Sequence, residues 1–139
     1  MDLSYLFTPF VAWLLAGCLK FLINSIRAKK LAFGLIGYGG LPSNHSAIVS
    51  SMATLIALKE GIGHPAFGVA ITLAFIVMLD ASSLRRQVGK HASAINKLAL
   101  KQNTDHIVLR ERMGHTPIEI LAGVLTGILV ASTMNIKFF

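Results

Sequence analysis

Long apolar runs alternate with short polar stretches along this chain and predict helices that cross a membrane. The runs cover about 6–26, 45–58, 61–79 and 117–136. A membrane span needs roughly 20 apolar residues. The fourth run meets this length, whereas the second is short and is expected to be tilted or half-buried. The pattern therefore predicts an all-α polytopic membrane helix bundle, with about four transmembrane helices in a single domain over residues 1–139.

The segment 85–115 is amphipathic in part. Its apolar residues at helical spacing are Ala92, Ile95, Leu98 and Ala99, and most of its charged residues lie elsewhere on the helical wheel. We therefore expect an additional amphipathic helix on the cytoplasmic side, where it would lie among the lipid headgroups.

Composition supports the membrane class and narrows the partners. Hydrophobic residues make up 54% of the chain and charged residues 14%, and the mean hydropathy is +0.67. The formal net charge is +7, but no base-stacking aromatic pattern accompanies it. Anionic lipid headgroups are therefore the expected partner rather than nucleic acid. The single cysteine, Cys18, excludes an intramolecular disulfide framework.

The distribution of lysine and arginine predicts an orientation. One basic group follows the first span and a second lies between the third and fourth spans; the residues are Arg27, Lys29, Lys30, Arg85, Arg86, Lys90, Lys97, Lys101, Arg110 and Arg112. The turn between the second and third spans has Lys59, balanced by Glu60. The positive-inside rule then puts both basic groups in the cytoplasm and both termini outside.

Two histidine motifs each open an apolar helix on the predicted cytoplasmic side. One is Pro42-Ser43-Asn44-His45, after a glycine-rich run, and the other is Gly114-His115-Thr116-Pro117-Ile118-Glu119. A helix N-terminus attracts anions, and an imidazole can carry a proton or a phosphoryl group near neutral pH. The pattern therefore indicates phosphate chemistry.

A pair of cations precedes these motifs. Lys20 and Arg27 are seven residues apart, about two helical turns, so they share one face of the first helix. A lysine inside an apolar span is costly unless it faces a polar cavity or extends to the interface. Both interpretations of Lys20, a phosphate clamp and a snorkelling side chain, stay open at this point.

In order and spacing, these motifs resemble the three signature motifs of the type 2 phosphatidic acid phosphatase and vanadium haloperoxidase superfamily. The chain is most similar to the small divergent branch of that superfamily. That branch also has an Asp-Ala-Ser…Arg-Arg stretch like 80–86 and a Gly-His-Thr-Pro stretch like 114–117. The resemblance covers about residues 20–127.

The resemblance implies a role for each matching residue. His115 is the expected nucleophile, Glu119 the carboxylate that orients it, and His45 the general acid. The residues expected to hold the phosphate are Lys20, Arg27, Ser43 and Asn44. Leu109 stands where the third motif usually has an arginine. Our hypothesis is that Arg85 or Arg86 supplies this cation, with Asp80 in support.

Each motif also has a purely structural interpretation. Thr116-Pro117-Ile118-Glu119 is a capping box, so the Glu119 carboxylate could serve only the Thr116 N–H. Ser43 or Asn44 could simply cap the second helix. Asp80 could do no more than pair with a neighbouring arginine.

By this resemblance, the expected function is a metal- and cofactor-independent lipid-phosphate phosphatase at the cytoplasmic face. It would hydrolyse a phosphate monoester through a phosphohistidine, with phosphatidylglycerophosphate, phosphatidic acid or a polyprenyl diphosphate as candidate substrates. The alternative is a non-catalytic protein that binds or moves anionic lipids with a degenerate site. Because four short spans enclose a site poorly, a homodimer also stays open.

Overall fold

The computed structural model describes residues 2–29, 31, 40–102, 104 and 107–137. Its helices are α1 (Ser4–Ala28), α2 (Asn44–Lys59), α3 (Pro65–Leu79), a five-residue π turn (Asp80–Leu84), α4 (Arg85–Gln102) and α5 (Pro117–Lys137). No strand occurs in this part of the chain, so the all-α prediction is confirmed. Lys30 and the glycine-rich run over 37–39 lie outside the described residues.

Three helical segments in the described ranges are long and apolar enough to cross a membrane, rather than the four predicted. They are Ser4–Ala28, the continuous 38-residue helix Pro65–Gln102, and Pro117–Ile136. With 16 residues, α2 is about 24 Å long at 1.5 Å per residue, less than the roughly 30 Å hydrocarbon core of a bilayer. The second helix is therefore as short as its apolar run predicted.

The short helix α2 lies at the centre of the bundle, against α1, α3 and α5. Its contact with α5 is unusually close, because Gly123 and Gly127 share one face of α5. A Cβ atom on Gly123 would collide with the carbonyl oxygen of Ser43, and one on Gly127 with the hydroxyl of Ser50. Small residues at such a crossing let two helix backbones touch, which is a common way to pack helices in membranes.

The packed face of α1 also consists of small side chains. Ser4, Thr8, Ala12 and Ala16 recur every four residues and are fully buried. Ala12 and Ala16 belong to a cluster with members on α2 and α5, namely Ala47, Val130 and Met134. The larger apolar side chains of α1, among them Trp13 and Leu14, face outward, as expected for a helix in lipid.

The helix directions define two ends of the bundle. At one end, the Asp2 end, the carboxylate of Asp2 pairs with Lys59, the last residue of α2. At the other end, the site end, the rings of His45 and His115 lie near each other and next to Arg85. The expectation that both histidine motifs share one end with the close of the third span is therefore confirmed.

The predicted amphipathic helix is present as α4, and it differs from the prediction in one way: it continues α3 through the π turn instead of forming a separate helix. Ile95 and Leu98 are 49% and 57% exposed, as expected for an apolar face that meets lipid rather than protein. The packed face carries Gly89, Ala92 and Asn96, because the chain after the helix returns along α4, where the carbonyl oxygen of Glu111 lies against Gly89.

Candidate active site

His115 is held in place through both its backbone and its side chain. Its N–H donates to the carbonyl oxygen of Ala81 at 2.9 Å, and its ring Nδ1 lies 3.0 Å from Oε2 of Glu119. The preceding Gly114 has a φ of 82°, and a Cβ there would collide with the side chain of Arg86. Because Nδ1 is engaged by the carboxylate, Nε2 is the ring nitrogen left for chemistry.

Glu119 performs both tasks that the sequence left as alternatives. Its Oε2 accepts from the Thr116 N–H at 3.0 Å as well as contacting the His115 ring, and the Glu119 N–H is 3.3 Å from Thr116 Oγ1. The capping box is therefore formed, and the same oxygen atom orients the imidazole. A single carboxylate at this position both stabilises the start of the helix and selects the ring tautomer of His115.

His45 lies at the start of α2, close to His115. The centroids of the His45 and His115 rings are 6.1 Å apart, with 58° between the ring planes. The two helix starts are joined directly, because the Ser43 N–H donates to the carbonyl oxygen of Glu119 at 2.9 Å. Parallel packing of α2 and α5 thus places both imidazoles at one end of the bundle.

Two cations accompany the histidines. Nη1 of Arg85 lies 3.2 Å from Nε2 of His45, and Nε of Arg85 lies 2.6 Å from Oδ2 of Asp80. Lys20 is partly buried on α1 and lies close enough to interact electrostatically with both histidines and Glu119. The site therefore joins residues from α1, α2, the π turn, α4 and α5.

Four of the predicted phosphate-binding residues are engaged in capping or packing, or are exposed. Ser43 is fully buried, and its hydroxyl caps α2 by accepting from the Ser46 N–H at 3.3 Å. The amide of Asn44 packs against Gly17 of α1. Arg27 and Arg86 are exposed. For Ser43, the capping alternative is thus the one seen in this structure, and phosphate contacts by these four residues stay predictions.

Leu109 lies away from the histidines. Its N–H and carbonyl oxygen both bond the side-chain amide of Asn96 on α4, each at 2.9 Å. The neighbouring Arg110 is exposed, and its Nε donates to the carbonyl oxygen of Arg112. The position that usually carries the arginine of the third motif therefore serves to attach the returning chain to α4.

The protein environment favours a neutral His115. Burial lowers the pKa of its imidazole below the ordinary value of 6.5, and the hydrogen bond with Glu119 partly opposes this change. The positive charges of Lys20 and Arg85 lower the pKa further. A neutral imidazole has a free lone pair, which a nucleophile needs.

Within the described ranges, no three His, Cys, Asp or Glu side chains form a group that could hold a metal ion.

Sequence reasoning missed two parts of this arrangement. The carbonyl oxygen of Ala81, which receives the His115 N–H, has no signature in a sequence. The π turn has a weak one: Arg85 follows Asp80 by five positions, and two of the four residues between them are serines. That spacing does not predict a contact in an ordinary α-helix.

The fold and the site define a helical integral membrane protein with a histidine pair at one end of its bundle. The sequence model of the divergent PAP2 family matches residues 1–130, and the chain belongs to that family. It is also 35% identical over 150 residues to "Uncharacterized membrane protein YuiD" of Bacillus subtilis (strain 168), covering 96% of this chain and 94% of that protein. No solved structure matches. The family resemblance drawn from the motifs is thereby confirmed, and it suggests a phosphatase-related role.

Proposed function

We propose that this protein is a lipid-phosphate phosphatase that hydrolyses a phosphate monoester through a phosphohistidine on His115. The observation that carries the proposal is the 3.0 Å contact between His115 Nδ1 and Glu119 Oε2. A carboxylate on one ring nitrogen keeps the proton there and leaves the other nitrogen free to attack. Burial of the ring, which is 7% exposed, favours the neutral, reactive form.

The reaction proceeds in two steps. In the first, Nε2 of His115 attacks phosphorus, the bond from phosphorus to the lipid oxygen breaks, and that oxygen takes a proton from Nε2 of His45. This step requires Nη1 of Arg85, which contacts the same nitrogen at 3.2 Å, to move off it when the substrate binds. In the second, water attacks the phosphohistidine, His45 takes a proton from the water, and inorganic phosphate leaves. General acid–base catalysis of this kind contributes typically 10²–10⁴-fold. With 6.1 Å between ring centroids, both imidazoles are near enough to act on one phosphoryl group.

Negative charge on the phosphoryl group is stabilised by nearby positive charge. Lys20 provides a cation on the α1 side, and the N-termini of α2 and α5, which both begin at this end, provide partial positive charge. Fixed cations and N–H donors of this kind stabilise a transition state in which charge spreads over the phosphoryl oxygens. The same features bind the ground-state phosphate.

The substrate is a lipid because the site lies at the end of a bundle of membrane-spanning helices. The acyl chains stay in the bilayer and enter from the side, while the headgroup meets the basic residues. The positive-inside rule supports a cytoplasmic position for this end, which is part of the proposal. A phosphate monoester such as phosphatidylglycerophosphate or phosphatidic acid is the substrate class that fits a cytoplasmic site.

A second candidate function has one observation in its favour. Leu109 occupies the usual arginine position and binds Asn96 on α4 instead of lining the site. A protein that binds or moves anionic lipids without turnover could tolerate this change. Two imidazoles placed beside a carboxylate and an arginine favour the phosphatase, because a lipid-binding site has no need of an oriented nucleophile.

Phosphate release in detergent tests the proposal. Wild type, His115→Ala and the matched control His64→Ala are assayed without added metal on phosphatidylglycerophosphate, phosphatidic acid and a polyprenyl diphosphate. His64 is a histidine in front of a Pro-led helix at the other end of the bundle. We expect His115→Ala to lose at least ~10³-fold in rate and His64→Ala to stay within about two-fold of wild type. A folded wild type that binds these lipids but releases no phosphate would favour the lipid-binding protein.

A further inference from the structure

We infer that Arg85 is a phosphate-binding residue of this site and that Asp80, through the π turn between them, is its positioning residue. The inference rests on the proposed function for its chemistry, but the geometry behind it is independent. It decides between Arg85 and Arg86, and it gives Asp80 a role beyond that of a surface ion pair.

The π turn brings Asp80 and Arg85 to the same side of the helix. In an α-helix, side chains five residues apart point about 140° away from each other at 3.6 residues per turn. Here the Arg85 N–H donates to the carbonyl oxygen of Asp80, five residues earlier, which widens the turn by one residue. The two side chains consequently meet, with Arg85 Nε 2.6 Å from Asp80 Oδ2.

The local sequence supports this wide turn. The hydroxyl of Ser82 donates to the carbonyl oxygen of Met78 at 2.9 Å, and that of Ser83 to the carbonyl oxygen of Leu79 at 2.8 Å. Serine hydroxyls that bond back to carbonyls one turn earlier can locally replace or bend the regular hydrogen-bond pattern. Single π turns within helices occur frequently at functional sites.

In this position Arg85 keeps N–H donors that Asp80 and His45 do not use. Its Nε is engaged by Asp80 and its Nη1 by His45, while a guanidinium has five N–H donors in all. The side chain is 39% exposed, so an anion can reach it. Arginine is well suited to phosphate because its planar donors match two oxygens together.

Among the residues that the structure describes, the adjacent Arg86 has no such pair of partners. Its stem lies over Gly114, where a Cβ would collide with it, and the residue is exposed. The π turn thus selects one of the two arginines for the site. The same turn holds the nucleophile, because the His115 N–H donates to the carbonyl oxygen of Ala81 within it. One irregular turn therefore sets the relative position of His115 and Arg85.

A double-mutant cycle tests the roles of both residues. Arg85→Gln, Asp80→Asn and the double variant are compared with Lys90→Gln, which removes one exposed cation from the same helix. Lipid phosphate release is measured together with the affinity for inorganic phosphate by calorimetry. We expect Arg85→Gln to lower kcat/KM by roughly 10²–10³-fold and Asp80→Asn by roughly 10-fold, with Lys90→Gln unchanged.

The cycle separates a positioning residue from a residue that acts independently. If Asp80 acts through Arg85, Asp80→Asn has less than about a two-fold effect in the Arg85→Gln background. Added guanidinium at millimolar concentration should restore part of the activity of Arg85→Ala but none to His115→Ala. An equal effect of Asp80→Asn in both backgrounds would overturn the positioning role.

Phosphate binding keeps this inference distinguishable from the proposed function. If the wild type releases phosphate from no lipid, the phosphatase proposal fails, but calorimetry still decides on Arg85. Weaker phosphate binding by Arg85→Gln than by Lys90→Gln would support the anion site. Equal phosphate affinity in wild type and Arg85→Gln would overturn it.

Discussion

The two ends of the bundle use the same residue types for different purposes. At the Asp2 end, His64 precedes the Pro-led helix α3, and its Nδ1 accepts from the Ala66 N–H at 3.2 Å as a helix cap. At the site end, His115 precedes the Pro-led helix α5, but it is buried and its ring contacts Glu119. Each end also has a carboxylate paired with a cation, Asp2 with Lys59 and Asp80 with Arg85.

The two ends differ in how many helices bring side chains to one place and in whether a histidine ring is buried there. The hydrogen bond from Lys59 lowers the pKa of Asp2 to about 2, and the pair ties the chain start to the end of α2. The carboxylate side of this pair is 40% exposed, so solvent weakens the pair and it contributes little to stability. At the site end, side chains from different helices meet beside a buried imidazole. A histidine shortly before a Pro-led helix therefore becomes a candidate nucleophile here only at the end where neighbouring helices bury and orient it.

Close packing of α2 on α5 brings the two histidines together at the site end. A substitution that disrupts this packing should therefore have the largest effect on the fold. In Gly127→Val, the new side chain would collide with Ser50 and the backbone of Ala47. We expect the free energy of unfolding to fall by about 3 kcal/mol, with phosphate release lost in parallel. Thermal unfolding in detergent measures the change.

The matched control lies on α3, where Gly68 has no neighbouring atom within reach of a Cβ. We expect Gly68→Ala to be neutral or slightly stabilising, because alanine favours helix by up to about 1 kcal/mol over glycine. Equal destabilisation by the two substitutions would contradict the view that the α2–α5 contact is the tightest part of the bundle.

An intermediate effect on the rate of phosphate release is expected when one carboxylate is replaced at each end of the bundle, so that the two ends can be compared directly. Glutamine can still cap a helix in this position, so Glu119→Gln keeps the bond to the Thr116 N–H and removes the charge next to His115. We expect the rate of phosphate release to fall roughly 10–100-fold while the melting temperature changes little.

Glu60→Gln is the control at the Asp2 end, where Glu60 accepts from the Tyr5 hydroxyl at 2.6 Å. Its rate should match wild type. Full activity in Glu119→Gln would show that the carboxylate serves only as a helix cap.

The smallest effect is expected from pH. The proposed phosphohistidine mechanism needs neutral His115, so the rate should fall on the acid side as the imidazole is protonated. Since burial lowers the pKa of His115, this decline should occur below the ordinary histidine value of about 6.5. Glu119→Gln removes contributions that raise the pKa, so its acid limb should move to still lower pH. A profile of kcat/KM against pH for both proteins measures the shift; a move to higher pH would contradict it.

Much of this architecture could be predicted from local sequence. Apolar runs located the helices, because spanning helices need long stretches without charge. Asn44 and Pro117 begin α2 and α5 as the histidine motifs indicated, since capping residues and proline act within one turn. The grouping of His45, His115 and Arg85 at one end followed from the alternation of spans.

Contacts between helices could not be predicted in this way. The 16-residue helix α2 lies at the centre because its serines and alanines admit close neighbours, a property of the partner surfaces as much as of α2. The dual role of Glu119 depends on the angle between the His115 loop and α5. The selection of Arg85 over Arg86 depends on a turn widened by one residue, which hydropathy does not reveal.

The sequence by itself determined where the helices lie along the chain, the capped starts of α2 and α5 and the end of the bundle that collects the charged groups, because these depend on hydrophobicity and on bonds within a few residues. Only the tertiary structure decided which of those groups meet. The 3.2 Å contact of Arg85 with His45 and the bond from His115 to Ala81 join residues far apart in the chain. Their distances depend on how closely the helix backbones approach, and the glycines of α5 and the π turn set that approach.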